Sequence, residues 1–126
     1  MGNLKITDLS VGDWVSIDGE PRRVSKLNVT GLVQFFNSPN YFGVGVIEPI
    51  PITPELLEKN GFNKNGEYNE WNIGTWRTPY LLGVSLERPA IAIKWNGSRV
   101  FIDQAKYVHE LQHALRLVGN TRKIEI

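Results

Sequence analysis

A chain of 126 residues, 41% hydrophobic and 21% charged, is long enough to bury a core without disulfides or metal staples, and its composition is that of a globular protein. Fourteen basic residues against thirteen acidic ones leave a formal charge of +1, so no long-range field draws the chain to nucleic acid or an anionic membrane. The lack of cysteine excludes disulfides, thiolate nucleophiles and thiolate metal sites, and suits a reducing compartment.

Asp13 to Ile17 and Glu20 to Leu27 are β-rich runs joined by Asp18-Gly19, a dipeptide suited to the positive φ angles of a tight hairpin. Regular alternation along the second run points Arg23 away from Arg22 and Lys26 and predicts a solvated strand face. Gly31 to Phe36 and Gly43 to Ile47 read as two further strands, separated by a Ser38-Pro39-Asn40 turn. The N-terminal half is therefore expected to be a small meander or open barrel. Gly43 and Gly45 form no phosphate loop, because neither a Lys-Ser/Thr pair nor a helix start follows them.

Pro49 and Pro51 hold the chain extended and mark a seam between halves. Thr53 as N-cap, Pro54 as first helical residue and Gly61 as stop predict a short helix around Glu55 to Lys59. Glu67 to Ile73 and Tyr80 to Leu86 read as strands. Ala90 to Trp95 pairs with Ser98 to Ile102 across Asn96-Gly97, the strongest hairpin signal in the chain. Asp103 is expected to cap a helix ending near Val118, with a last short strand over Lys123 to Ile126. The fold class expected is α+β: a mostly antiparallel small sheet or open barrel with a short middle helix and a C-terminal amphipathic helix. It is read as a single domain, 1–126, with a β-rich half over 1–52 and a half over 53–126 that carries the helices and the hairpin.

His109, Glu110 and His113 spell H-E-x-x-H, in which two histidines one helical turn apart face a metal while the glutamate activates its water. Catalytic zinc normally takes a third protein ligand, yet these are the only two histidines, and Glu125 is the sole carboxylate after His113. At about 100° per residue, Gln104, Val108, Leu111, Leu115 and Val118 form the apolar stripe. His109, His113 and Arg116 fall on another face and are expected to meet solvent, or a groove if another element covers them. A zinc-dependent hydrolase with His109 and His113 as ligands and Glu110 as base is thus the disfavoured alternative.

The segment WNIGTWRTPY places Trp71, Trp76, Arg77 and Tyr80 around Gly74 and Pro79. Aromatics beside an arginine on an irregular loop can stack a base, a sugar or a peptide side chain, and these four are the candidate ligand-binding residues. The competing reading buries Trp71 and Tyr80 in the core at strand ends. Trp14 and Trp95, inside regular strands, are read as core or half-buried cross-strand partners.

Three stretches, Leu9 to Val15 (LSVGDWV), Ile47 to Phe62 (IEPIPITPELLEKNGF) and Tyr107 to Leu117 (YVHELQHALRL), resemble a family of small uncharacterised proteins of gut Bacteroidetes, their phages and their mobile elements. The family's helix carries Asn where this chain has His113. The resemblance implies a phage or mobile-element setting and no particular activity.

The function expected is that of a non-catalytic binding or accessory protein with no cofactor, its partner a protein or a small molecule. The alternatives are a small-ligand, nucleotide-sequestering counter-defence protein and the zinc hydrolase. There is no strong nucleic-acid signal. With no membrane-length apolar stretch and no apolar signal core over Met1 to Ile6, a cytoplasmic location is expected. An exposed sheet edge leaves pairing into a homo-oligomer open.

Overall fold

Asp18 and Gly19 adopt φ of +50° and +81° in the computed structural model, which describes residues 4–65, 70–74, 81–86, 90–95, 98–103, 106–117 and 123–126. The turn they make joins β1 (Trp14–Ile17) to β2 (Glu20–Leu27) in the register Ile17 opposite Glu20 and Trp14 opposite Arg23. Both central residues lie in the left-handed region, whose backbone twist matches that of the flanking strands. The α+β class holds, with two antiparallel five-stranded sheets and two α-helices among the described residues. The sheets belong to two compact units, Met1–Ile50 and Pro51–Ile126.

In the first unit β3 (Leu32–Phe35) and β4 (Tyr41–Gly43) continue the meander, and β5 (Glu48–Pro49) returns to pair with β1. The resulting order is β4-β3-β2-β1-β5, an open sheet with β4 and β5 as edges. Such an order is compatible with many functions and assigns none. The run expected as a strand over Gly43 to Ile47 instead ends its pairing at Gly43 and turns through a 3₁₀ helix, Val44–Val46. A single turn there lets Ile47 drop into the core, where it is fully buried with Val15, Val24, Val33 and Phe35.

A β-bulge interrupts β2. Val24 lies opposite Phe35, whereas Lys26 lies opposite Gln34 and Leu27 opposite Val33, so Ser25 is the extra residue. Its hydroxyl donates to the Gln34 carbonyl at 3.0 Å. The bulge overturns the expected alternation, because skipping one residue turns Lys26 onto the same face as Arg23, opposite the core.

The second unit opens with α1 (Pro54–Lys59), where the Thr53 hydroxyl accepts from Leu56 N at 3.2 Å and Gly61, at φ +86°, ends the helix. Five strands follow in sequence order: β6 (Asn63–Asn65), β7 (Glu70–Gly74), β8 (Leu81–Ser85), β9 (Ala90–Trp95) and β10 (Ser98–Asp103). β6 was not expected; its three polar residues carry no apolar alternation that a sequence reading could detect. The β9–β10 hairpin forms as expected, with Trp95 opposite Ser98. Register places Trp71, Ile73, Leu82, Val84 and Ile91 on one face, and all five are buried.

Asp103 does not cap a helix. It is the last residue of β10, paired with Ile91 past a register shift, and α2 runs over Val108–Leu117. The helix start is set by the segment around Pro51. Pro51 bridges Tyr107, and Ile52 N donates to the Lys106 carbonyl at 3.0 Å. α2 buries Val108, Leu111, Ala114 and Leu115. Val118 and Gln104 of the expected stripe lie outside the described residues. The expected strand over Lys123 to Ile126 does not form; those residues join no sheet. No helix among the described residues is long and apolar enough to cross a membrane.

Candidate functional site

Because Trp14 pairs with Arg23 and Val24 pairs with Phe35, the residues Trp14, Arg23 and Phe36 form a row across β1, β2 and the end of β3. Phe36 N donates to the Arg23 carbonyl at 3.0 Å, which fixes that end of the row. The Arg23 guanidinium lies 4.9 Å from the Phe36 ring centroid and 5.9 Å from that of Trp14. Both distances are within cation–π range, so the cation is held over apolar rings rather than waving in solvent. Phe36 is 45% exposed, high for a large apolar side chain, while Trp14 and Arg23 are half-buried.

An open cleft of about 740 Å³ adjoins this row, lined by Trp14, Glu20, Pro21, Arg22, Arg23 and Phe36, with Asn37 at its rim. The Arg22 guanidinium donates to the Glu20 carboxylate at 3.2 Å, an exposed pair of small energetic weight. Asn37, at φ +64°, turns the chain directly after Phe36. The sequence reading took Arg22, Arg23 and Lys26 for a solvated face and missed this site. The signal was available in part, since the Asp18-Gly19 turn alone sets Trp14 opposite Arg23; Phe36 required the bulge.

Of the residues nominated from the sequence, Trp71 is buried on the core face of β7, in accord with the packing reading. Trp76, Arg77 and Tyr80 lie outside the described residues. On the opposite face of that sheet, Glu70 is buried and its carboxylate accepts from Lys94 Nζ at 2.6 Å, with Asn72 Oδ1 at 3.5 Å from the same ammonium. Glu70 and Lys94 come from strands on either side of β8 and meet over Gly83, which has no side chain to separate them.

Of the two expectations for the H-E-x-x-H face, solvent fails for the first histidine. His109 is buried, at 4% exposure, and not turned to solvent; His113 is half-buried and Arg116 exposed. The Tyr107 ring stacks beside His109 with centroids 6.0 Å apart, and His113 meets it edge-on at 5.8 Å. The Glu110 carboxylate accepts from Lys106 N and Tyr107 N at 3.1 and 3.0 Å. It thus caps the helix as the third-residue carboxylate of a capping box does, directed at backbone amides. Among the described residues, no three His, Cys, Asp or Glu side chains gather where one ion would sit.

Fold and site together define a small α+β protein with an aromatic and guanidinium row on its first sheet. No protein-family model, no curated protein and no solved structure matches the chain.

Proposed function

We propose that this is a non-catalytic binding protein whose ligand-contacting surface is the cleft at Trp14, Arg23 and Phe36. The observation that carries the reading is the Arg23 guanidinium held against two rings at the mouth of an open cleft. Aromatic faces at low conformational-entropy cost, with a fixed cation between them, are what recognition surfaces use to hold a flat or anionic group. Glu110's engagement in capping α2 supports the non-catalytic reading, because a carboxylate bonded to two amides is not placed to activate water. The phage or mobile-element setting implied by the three-stretch resemblance belongs to the same proposal.

A second reading, sequestration of a small nucleotide, is favoured by the size of the cleft, which falls within the usual range of small-molecule sites. The experiment is an NMR titration that follows the four tryptophan indole N–H signals, with Trp14 assigned from Trp14→Phe, against mononucleotides, short oligonucleotides and acidic peptides. A ligand that shifts the Trp14 signal and loses affinity in Arg23→Ala supports the reading. Binding that leaves Trp14 unmoved, or no binding across the panel, overturns it.

A further inference from the structure

The Ser25 bulge gives the outer face of the first sheet a second row beside the first. Lys26 lies opposite Gln34, and Gln34 opposite Tyr41, so Lys26, Gln34 and Tyr41 cross β2, β3 and β4 on the same face as Trp14, Arg23 and Phe36. Tyr41 is 50% exposed, Phe36 45%, and Lys26 is exposed. Among the described residues no Asp or Glu falls on this face of β1 to β4; register places Trp14, Ser16, Pro21, Arg23, Lys26 and Gln34 there, with Tyr41 beyond, while on β5, the edge strand away from Tyr41, the exposed Glu48 lies opposite Ser16. Three aromatic rings and two cations, against that one carboxylate at the far edge, thus share one surface whose net charge is positive, although the chain as a whole is nearly neutral.

We infer that this face binds single-stranded nucleic acid, with bases stacked on Trp14, Phe36 and Tyr41 and phosphates neutralised by Arg23 and Lys26. The inference rests on the binding surface proposed above and names its ligand. Strand and residue spacings put neighbouring rings of the three about 8 to 10 Å apart, wider than the roughly 3.4 Å rise of a base stack, so each ring takes a splayed base rather than a continuous stack. A duplex cannot offer base faces to such rings; an unpaired strand can. Gln34, the polar side chain central to the second row, already donates to the Ser38 carbonyl at 3.1 Å. With that amide hydrogen engaged, the face has little with which to read base edges, and weak sequence preference follows. Two phosphate contacts predict a shallow salt dependence, about sevenfold in affinity between 50 and 200 mM salt.

The test is fluorescence anisotropy of the full chain with fluorescein-labelled dT8 and rU8, and with a labelled 8-base-pair duplex as competitor class. Expected is a Kd between about 1 and 100 µM for the single strands, the range of sequence-independent binding, and none for the duplex. Tyr41→Ser and Lys26→Glu alter exposed positions and keep the thermal midpoint, so loss of binding in them is not loss of folding. Each is expected to weaken dT8 about tenfold or more. No binding of either single strand, equal binding of duplex, or unchanged affinity in both variants overturns the inference. An acidic peptide or mononucleotide that shifts Trp14 while dT8 and rU8 do not bind overturns it too, and leaves the Trp14 cleft standing as a binding surface.

Discussion

Asn60 holds Glu125 by both backbone groups at once: its Nδ2 donates to the Glu125 carbonyl at 2.8 Å and its Oδ1 accepts from Glu125 N at 2.7 Å. The side-chain amide does what a neighbouring strand would do, so both backbone groups of Glu125 are satisfied although the tail joins no sheet. The same Nδ2 donates to the Leu56 carbonyl at the end of α1 at 2.8 Å, and Lys59 Nζ reaches the Ile126 carbonyl at 2.7 Å. Ile124 is buried beside these bonds at 4% exposure.

Asn60→Ala removes three bonds from a site 4% exposed and leaves the Glu125 amide and carbonyl to be satisfied otherwise, while the Leu56 carbonyl keeps its bond from Asn60 N. The expected loss is about 2 to 3 kcal/mol in urea unfolding, with faster amide exchange over residues 123–126. Asn60→Asp should be no better, since a carboxylate cannot donate to either carbonyl. A loss below about 0.5 kcal/mol would mean that the tail is held by Ile124 burial alone.

Gly83 is required by its neighbours and not by its backbone. A Cβ there would stand 3.1 Å from Glu70 Oε1, Asn72 Oδ1 and Lys94 Cδ together, tighter than ordinary contact on three sides. Gly83→Ala is expected to cost about 1 to 3 kcal/mol, as overpacking does. Lys94→Ala should cost about 2 to 4 kcal/mol, because it strands a buried carboxylate, while Glu70→Leu combined with Lys94→Met should recover most of that loss. Chemical denaturation of the four proteins reads the series; a double variant as unstable as Lys94→Ala would show that the pair itself, and not its desolvation, dominates.

Local signals in the sequence were sufficient for most elements. Asp18-Gly19 set the register of β1 and β2, Thr53-Pro54 and Gly61 set both ends of α1, and Asn96-Gly97 paired β9 with β10. What escaped were features decided by tertiary contact. Asp103 has the side chain of an N-cap, but pairing with Ile91 holds it in β10, and the Pro51 bridge to Tyr107 delays the helix. His109 sits on a polar helix face by periodicity, yet it is buried, with the Tyr107 and His113 rings against it. The candidate site was half legible: alternation from a known turn gives Trp14 beside Arg23, but nothing in the letters Val24-Ser25-Lys26 marks a bulge.

That bulge yields its own prediction. Deleting Ser25 leaves Val24, Lys26 and Leu27 as consecutive residues opposite Phe35, Gln34 and Val33, so each keeps its face and partner and only the extra twist of the bulge is lost. The deletion is expected to cost about 1 to 2 kcal/mol, from the lost twist and the lost Ser25 hydrogen bond. Ser25→Ala keeps the extra residue, loses one partly buried hydrogen bond, and should cost only about 1 kcal/mol. Circular dichroism melts of the two variants distinguish a required residue from a required side chain.

Glu110 separates the two roles that its motif permits. As a cap, its Oε1 accepts from Lys106 N and Tyr107 N, and a glutamine oxygen can do the same, losing only the attraction between a full negative charge and the helix N-terminus. Glu110→Ala is therefore expected to destabilise by about 1 kcal/mol and Glu110→Gln by less than half as much. A general base obeys the opposite rule, since glutamine cannot take a proton and would abolish any hydrolysis as completely as alanine. Metal analysis of chelator-free protein runs alongside: zinc below stoichiometry, unchanged in His113→Ala, is the outcome that accompanies capping. Stoichiometric zinc lost in that variant, with hydrolysis lost in Glu110→Gln at unchanged stability, would reassign the carboxylate from the helix end to a reacting water.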